Sequence, residues 1–324
     1  MGAFLALALL ACGPLTALAA QGAPHGSSHR VRSLRILILS TMLAERGIGE
    51  WGFSALVEVD GQRLLFDTGA RPETVLQNAR ELGVDLTGVR EVVLSHNHAD
   101  HTGGLLTLRR AFAAQDRLSL ARVHVGRGIF WSRSSTTGEG EKNTMLALRP
   151  QFEATGGAFV EHDGPVELLP GVWLTGPVPR IHPERNWSGL GSVRTPEGLV
   201  EDTVPEDQSL IFDTDAGLVL LSGCGHAGIV STVEFARKTV REAPLHAAVG
   251  GFHLFPATDE RLDWTAGLLR GFGLQNLLGA HCTGLEAVYR IRERVGLGRR
   301  ACVVAAVGAS FELGKGIEPL DLAH

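Results

Sequence analysis

Val92-Val93-Leu94-Ser95-His96-Asn97-His98-Ala99-Asp100-His101-Thr102-Gly103-Gly104 is the stretch on which the reading of this chain turns. A short β-branched run bounded by polar residues reads as a buried strand, here Glu91 to Leu94. His96 and His98 follow two positions apart in extended chain, where alternate side chains share a face, so both imidazoles can reach one ion. Asp100 and His101 come as the chain turns and can face a second ion close by. Gly103 and Gly104 let the backbone pass tightly behind the cluster into a helix starting near Leu105. A lone histidine is usually packed or solvated. Three histidines and an aspartate within six positions, at the mouth of an apolar strand, point instead to a metal site, since burying such groups without partners costs several kcal/mol.

Each half of the chain opens with hairpins and continues with alternating strands and helices, which predicts two mixed sheets with helices outside. Leu34 to Ser40, Ser54 to Val59 and Arg63 to Phe66 read as strands, the third ending in Asp67-Thr68-Gly69. Aspartic-protease chemistry needs two such carboxylates sharing a proton, and no second Asp-Thr-Gly occurs. Helices are expected over Pro72–Leu82, Leu105–Ala114, Ile229–Val240, Glu260–Phe272 and Leu285–Val295. The polar, Gly- and Ser-rich stretch Arg127 to Thr144 reads as a loop over the site, with Arg133 either a substrate-anion contact or a solvated charge. In Pro179-Arg180-Ile181-His182, Arg180 and His182 point the same way if the segment is extended. An apolar strand leading into a histidine recurs at His96, His226, His253 and His281, through a glycine at the last three and with Cys224 beside His226, which indicates a shared rim.

Ser95 to Gly104 resembles the His-x-His-x-Asp-His signature of the metallo-β-lactamase superfamily. Ser222-Gly223-Cys224-Gly225-His226-Ala227-Gly228-Ile229, Gly250-Gly251-Phe252-His253-Leu254 and His281-Cys282-Thr283-Gly284 narrow the resemblance. They are similar to the branch that contains the archaeal dihydropterin–ribofuranosylaminobenzene phosphate synthase and its bacterial homologues, and Pro179-Arg180 fits it too. The resemblance implies an αββα sandwich over roughly Leu34 to Val307, with a single domain at 34–315 and a tail at 316–324. It implies that His96, His98 and His226 hold a first ion, with His182 the alternative third ligand. Asp100, His101 and His281 would hold the second, with Asp67 supporting the site from behind. Where most hydrolases of the superfamily place an Asp that bridges the ions, this chain has Cys224, either a thiolate ligand or a packed thiol.

The activity so implied is that of a metal-dependent hydrolase acting on a small ester, lactone, amide or phosphoester. The resemblance implies zinc, as two ions, which lowers the pKa of bound water from about 16 to about 7; manganese or iron suits the same N/O donors. Asp100 and His253 are the expected catalytic groups, His253 passing a proton to the leaving group, and Arg180 and Arg133 the expected substrate contacts. The alternatives are a pterin-type transferase, whose metals would stabilise a departing pyrophosphate, and a non-catalytic metal-holding binding protein. β-Lactams are disfavoured because the Cys motifs belong to another branch.

The chain has 324 residues, 44% of them hydrophobic, with a formal net charge of −5. No basic run marks a nucleic-acid surface, so the expected partner is a small molecule. Ala3 to Ala11 is apolar but too short to span a bilayer, and Ala17-Leu18-Ala19 is a small-x-small site. Residues 1–20 thus read as a signal peptide of a periplasmic or secreted protein, with a lipid anchor at Cys12 as an alternative and a mis-assigned start of a cytoplasmic protein as another. Residues 21–33 read as a tether. Cys224, Cys282 and Cys302 remain, and an odd number with two beside candidate ligands argues against a disulfide framework. Oligomeric state is not legible.

Overall fold

The computed structural model describes residues 29–135, 140–187 and 190–321. The leader, Cys12 and most of the expected tether fall outside them. Two mixed sheets face each other. The first has the strand order Gly316–Glu318, Ser310–Glu312, Leu34–Ser40, Ser54–Val59, Gln62–Phe66, Glu91–Val93, Arg122–Gly126 and Ala158–His162. The second runs Cys302–Val304, Asn276–Gly279, Leu245–Gly250, Gly217–Ser222, Ser209–Thr214, Val172–Leu174 and Val166–Leu169.

Strand periodicity explains the layering. Ile36 and Ile38 point into the cluster between the sheets, together with Val57, Phe66, Phe212, Val219, Leu221 and Val249. Leu37 and Leu39, one residue out of step, point the other way. They meet Val75, Ala79, Leu105, Leu108 and Phe152 on the helices Thr74–Glu81, Leu105–Ala113 and Met145–Glu153. On the far side, Leu218 and Leu220 meet Val230, Val233, Leu262, Ala266, Val288 and Ile291 of the helices Ile229–Thr239, Asp259–Gly271 and Leu285–Val295. Central strands are therefore apolar on both faces, and each buried aliphatic side chain contributes roughly 1.5–3 kcal/mol. The expected αββα sandwich is what forms.

Register decides where the chemistry emerges. Ser222, Gly250 and Gly279 lie in one row of three parallel strands, so the segments beginning Cys224, His253 and His281 leave the second sheet at the same edge. In the first sheet Phe66, Val93 and His124 share a row, and Asp67 and the His96–His101 segment leave beside one another. Sites at the carboxyl ends of parallel strands follow from this geometry.

Three expectations need correction. Residues 29–33 are not a free tether: Val31 is buried, bridges in parallel to Thr214 and donates its N–H to the Asp213 carbonyl at 2.8 Å. The expected tail begins with a strand, Gly316–Glu318, paired to Ser310–Glu312. Within the expected loop Arg127 to Thr144, Arg133–Ser135 forms a strand against Gly191–Thr195, joined to Gly198–Glu201 in a separate three-stranded sheet. No helix among the described residues is long and apolar enough to cross a membrane.

Candidate metal centre

The signature segment is held by close backbone approach. A Cβ on Gly103 would lie 1.9 Å from the Ala70 carbonyl oxygen, and one on Gly223 would lie 2.5 Å from an Asp67 carboxylate oxygen. These glycines let the two sheets' loops meet. His96 is fully buried, with ring centroids 4.5 Å from His98, 4.2 Å from His101 and 4.7 Å from His226. His281 meets His101 edge to face at 4.9 Å, and His253 lies 4.8 Å from His226. Donor atoms of His96, His98 and His226 fall within 4.8 Å of one another, as do those of Asp100, His101 and His281. Cys224 joins the two sets through His96 and His101, its Sγ 3.2 Å from His101 Nε2. It also touches Cys282, Sγ to Sγ 3.2 Å, and all three described cysteines are free.

A hydrogen-bonded frame turns the rings. Asp67 is buried and holds a left-handed backbone, φ +54°. Its carboxylate accepts from the Ser95 N–H at 2.7 Å, from Ser95 Oγ at 2.7 Å and from His101 Nδ1 at 2.7 Å. With its proton given to Asp67, Ser95 Oγ accepts from His96 Nδ1 at 2.8 Å. His226 Nδ1 donates to the Asn186 carbonyl. This bonding pattern assigns Nδ1–H to all three rings and turns each Nε2 toward the centre. His96 Nε2 and His226 Nε2 are buried without a hydrogen-bond partner, and so are both His281 ring nitrogens, of which Nε2 lies 3.3 Å from Asp100 Oδ2. Buried polar atoms are ordinarily paired, so orphaned imidazole nitrogens converging with a carboxylate and a thiol fit a divalent transition metal such as zinc.

His182 takes no part. Its Nε2 sits 2.6 Å from Glu234, half-buried on another face, so of the two alternatives it is His226 that the fold brings to His96 and His98. Arg133 is not a free cation either. It is buried, with Nε 2.9 Å from Asp202 and Nη2 2.5 Å from Glu206, and Nη1 bonds the Gly128 and Trp131 carbonyls. Each of its three nitrogens donates to protein, which corrects the reading of Arg133 as an anion contact. Arg180 donates Nη2 to the Thr203 and Val204 carbonyls and lies 5.5 Å from the Trp187 ring, with Nε buried and unpartnered.

Glu184 and Asn186 carried no signal in the sequence. The Glu184 carboxylate accepts from the Val230 and Ser231 N–H groups at the start of helix Ile229–Thr239, anchoring the segment from which Asn186 reaches His226. The pattern is that of a helix cap supplied from a distant stretch.

Residues 52–240, more than half of the chain, match the metallo-beta-lactamase superfamily. The chain belongs to the metallo-β-lactamase superfamily. Within it, the chain is 30% identical over 269 residues to the 7,8-dihydropterin-6-methyl-4-(beta-D-ribofuranosyl)-aminobenzene-5'-phosphate synthase of Methanocaldococcus jannaschii, covering 80% of this chain and 90% of that one. Tm1679, a metal-dependent hydrolase of the beta-lactamase superfamily, superposes with a TM-score of 0.69 at 26% identity, over 86% of this chain and 99% of its own. Zn(2+)-bound PqqB from Methylobacterium extorquens shares the fold, with a TM-score of 0.50 at 14% identity over 86% of this chain and all of PqqB.

Electrostatics separate the two donor sets of this metallo-β-lactamase-fold chain. Burial, with neighbouring histidines, holds His96 and His226 well below the usual histidine range and lowers His98 to about 4. Burial also disfavours charge on His101, but Asp67 and Asp100 outweigh it and raise its pKa to about 9. Burial pushes the Asp100 carboxyl up, yet His101 and His281 more than offset it and hold it well below the carboxylate range. Burial and Cys282 push the Cys224 thiol up. At pH 7 the metal-free first set is therefore uncharged, while His101 is an imidazolium. Filling the first set is expected to release no proton, whereas ligation by His101 releases one, and a second follows if Cys224 becomes a thiolate ligand. Calorimetric metal titrations in buffers of different ionisation enthalpy measure that number.

Proposed function

We propose that this protein is a metal-dependent hydrolase acting on a small ester, lactone, amide or phosphoester. The observation that supports it is the pair of donor sets, His96–His98–His226 and Asp100–His101–His281, meeting at Cys224 with unpartnered imidazole nitrogens facing inward. These donors would hold a divalent ion, zinc in this reading, which would supply Lewis acidity and a water made acidic near pH 7. Asp100, kept anionic by its histidine neighbours, offers an oxygen to the attacking water's proton. His253 lies beside His226 on a left-handed backbone, φ +48°, with Nδ1 unpartnered; in this reading it would protonate the leaving group. The ring frame built on Asp67 and Asn186 keeps the donors fixed, so little reorganisation accompanies the reaction.

In this reading chelation abolishes turnover across a panel of chromogenic esters, lactones and phosphoesters, and zinc or manganese restores it. His253→Ala lowers kcat by about 10²–10⁴ with metal content unchanged. Turnover that persists in excess chelator rules the reading out. Residues 1–20 add export to the proposal, which N-terminal sequencing of the mature protein checks. A pterin-type transferase is the second reading, favoured by the similarity that spans 90% of the M. jannaschii synthase. Pyrophosphate release that requires a second substrate, with no hydrolysis in its absence, would select it.

A further inference from the structure

Trp51 and Phe255 are unusual among the aromatic side chains of this fold. Trp51 is 48% exposed and Phe255 52% exposed, although Trp51 adjoins the buried His281 and Phe255 the half-buried His253. Isolated exposed apolar residues are ordinary and need no explanation. These two are not isolated. Their rings meet edge to face, with centroids 5.4 Å apart and planes at 83°. Trp51 lies 4.8 Å from the His281 ring, and Phe255 lies 5.2 Å from the His253 ring. They come from opposite sheets, some two hundred residues apart in the chain, and close one side of the metal centre.

The backbones beneath them are fixed. Glu50, buried next to Trp51, accepts from Ser40 Oγ, the Ala70 N–H and the Arg71 N–H at 2.8, 2.9 and 3.0 Å. On the other side of Trp51, a Cβ on Gly52 would lie 2.7 Å from the Ala70 nitrogen and 3.0 Å from the Asp100 oxygen. Phe255 and Leu254 both donate their N–H groups to the Cys282 carbonyl, and a Cβ on Gly284 would lie 2.8 Å from Phe255 Cβ. Rigid main chain carrying half-uncovered rings is a preorganised surface, which lowers the ordering cost of binding. Because the planes stand at 83°, a flat ring lying parallel to one meets the other edge to face, the two arrangements that aromatic quadrupoles favour. A saturated ring of the same size gains only the apolar contact.

We infer that Trp51 and Phe255 form an aromatic corner that receives a planar, unsaturated ring of the substrate, placed on the His281 and His253 side of the scissile bond. The inference rests on the proposed metal centre binding its substrate's reactive group, and it names the substrate class: a small ester or phosphoester carrying an aryl or heteroaryl group.

The test uses phosphonates, which carry the anionic head group but cannot be cleaved under these conditions. Phenyl-, cyclohexyl- and methylphosphonate are titrated by calorimetry into the full chain loaded with zinc. Phenylphosphonate is expected to bind at least tenfold more tightly than methylphosphonate and several-fold more tightly than cyclohexylphosphonate. Trp51→Leu and Phe255→Leu, which retain apolar bulk, are expected each to weaken phenylphosphonate about fivefold or more, with methylphosphonate affinity and zinc content unchanged. Equal affinities for phenyl- and cyclohexylphosphonate, variants that leave phenylphosphonate unaffected, or no phosphonate binding at all overturn the inference. Failure of the hydrolase reading looks different: no ester or phosphoester is turned over by the zinc-loaded protein, while the preference for the phenyl compound persists.

Discussion

Asp67→Ala is expected to strip the metal centre of its affinity and to destabilise the fold together. One carboxylate receives the Ser95 N–H, the Ser95 hydroxyl and the His101 ring, all inside a fully buried site. Alanine leaves these donors without an acceptor, and a buried hydrogen-bonded network broken from one side costs about 3–5 kcal/mol. The effect reaches both donor sets. His101 loses the acceptor that fixes its tautomer, and Ser95 loses the partner that frees its lone pair for His96 Nδ1. Partners of this kind are worth about 10–100-fold in metal affinity each, and here one residue orients ligands of both sets. Metal content after dialysis against defined free zinc, with urea melts of the metal-free protein, checks both consequences. Parent-like zinc content in the alanine variant would show that Asp67 is a structural carboxylate only.

Arg133→Ala is expected to be nearly as damaging, although Arg133 touches no donor of the metal centre. Its guanidinium neutralises Glu206 and Asp202 where water is excluded. Removing it leaves a buried Glu206 with backbone N–H partners alone, Asn97 at 3.2 Å and its own, a loss of about 3–5 kcal/mol. Glu206 also carries a pH signature. Burial raises its carboxyl from the ordinary 4.5 to about 7, and Arg133 only partly counters that. A raised folded-state value means that the native protein holds the proton more tightly than the unfolded chain. Stability from this group is therefore full below about pH 4.5 and is lost as pH climbs to about 7. The shift corresponds to roughly 3 kcal/mol. Glu206→Gln is expected to remove that slope, seen as a difference between parent and variant denaturation midpoints that changes from pH 4.5 to 7 and is constant above. A difference independent of pH across that window would contradict it.

The parts of the site that were legible in the sequence are those encoded locally. His96, His98, Asp100 and His101 sit within six residues, and the period of the strand before them sets their faces. His226, His253 and His281 could be read because each follows an apolar strand and a glycine, and parallel register then brings those strand ends to one row. What could not be read depends on distant partners. Whether Arg133 is solvated or committed is decided by Asp202 and Glu206, 69 and 73 residues downstream. The choice between His182 and His226 is decided by the path of the segment around Glu184 and Asn186, whose anchoring to a helix start has no local pattern. The helix Met145–Glu153 was masked by Pro150 in its interior and by the polar stretch before it, and it persists because Met145 and Phe152 are buried. Trp51 and Phe255 read alone as ordinary apolar residues; only their meeting across the sheets gives them significance.

The donors come from both halves of the sandwich: the His96–His101 segment leaves the first sheet, while Cys224, His226 and His281 leave the second. An ion held between them would act as a rivet, since the halves could not part without giving it up. Global unfolding would then be coupled to dissociation of the ion, and the melting temperature is expected to depend on free metal concentration. At a thousandfold excess over the dissociation constant the linkage amounts to about 4 kcal/mol. Scarcity of metal would thus threaten the persistence of this protein as well as its chemistry.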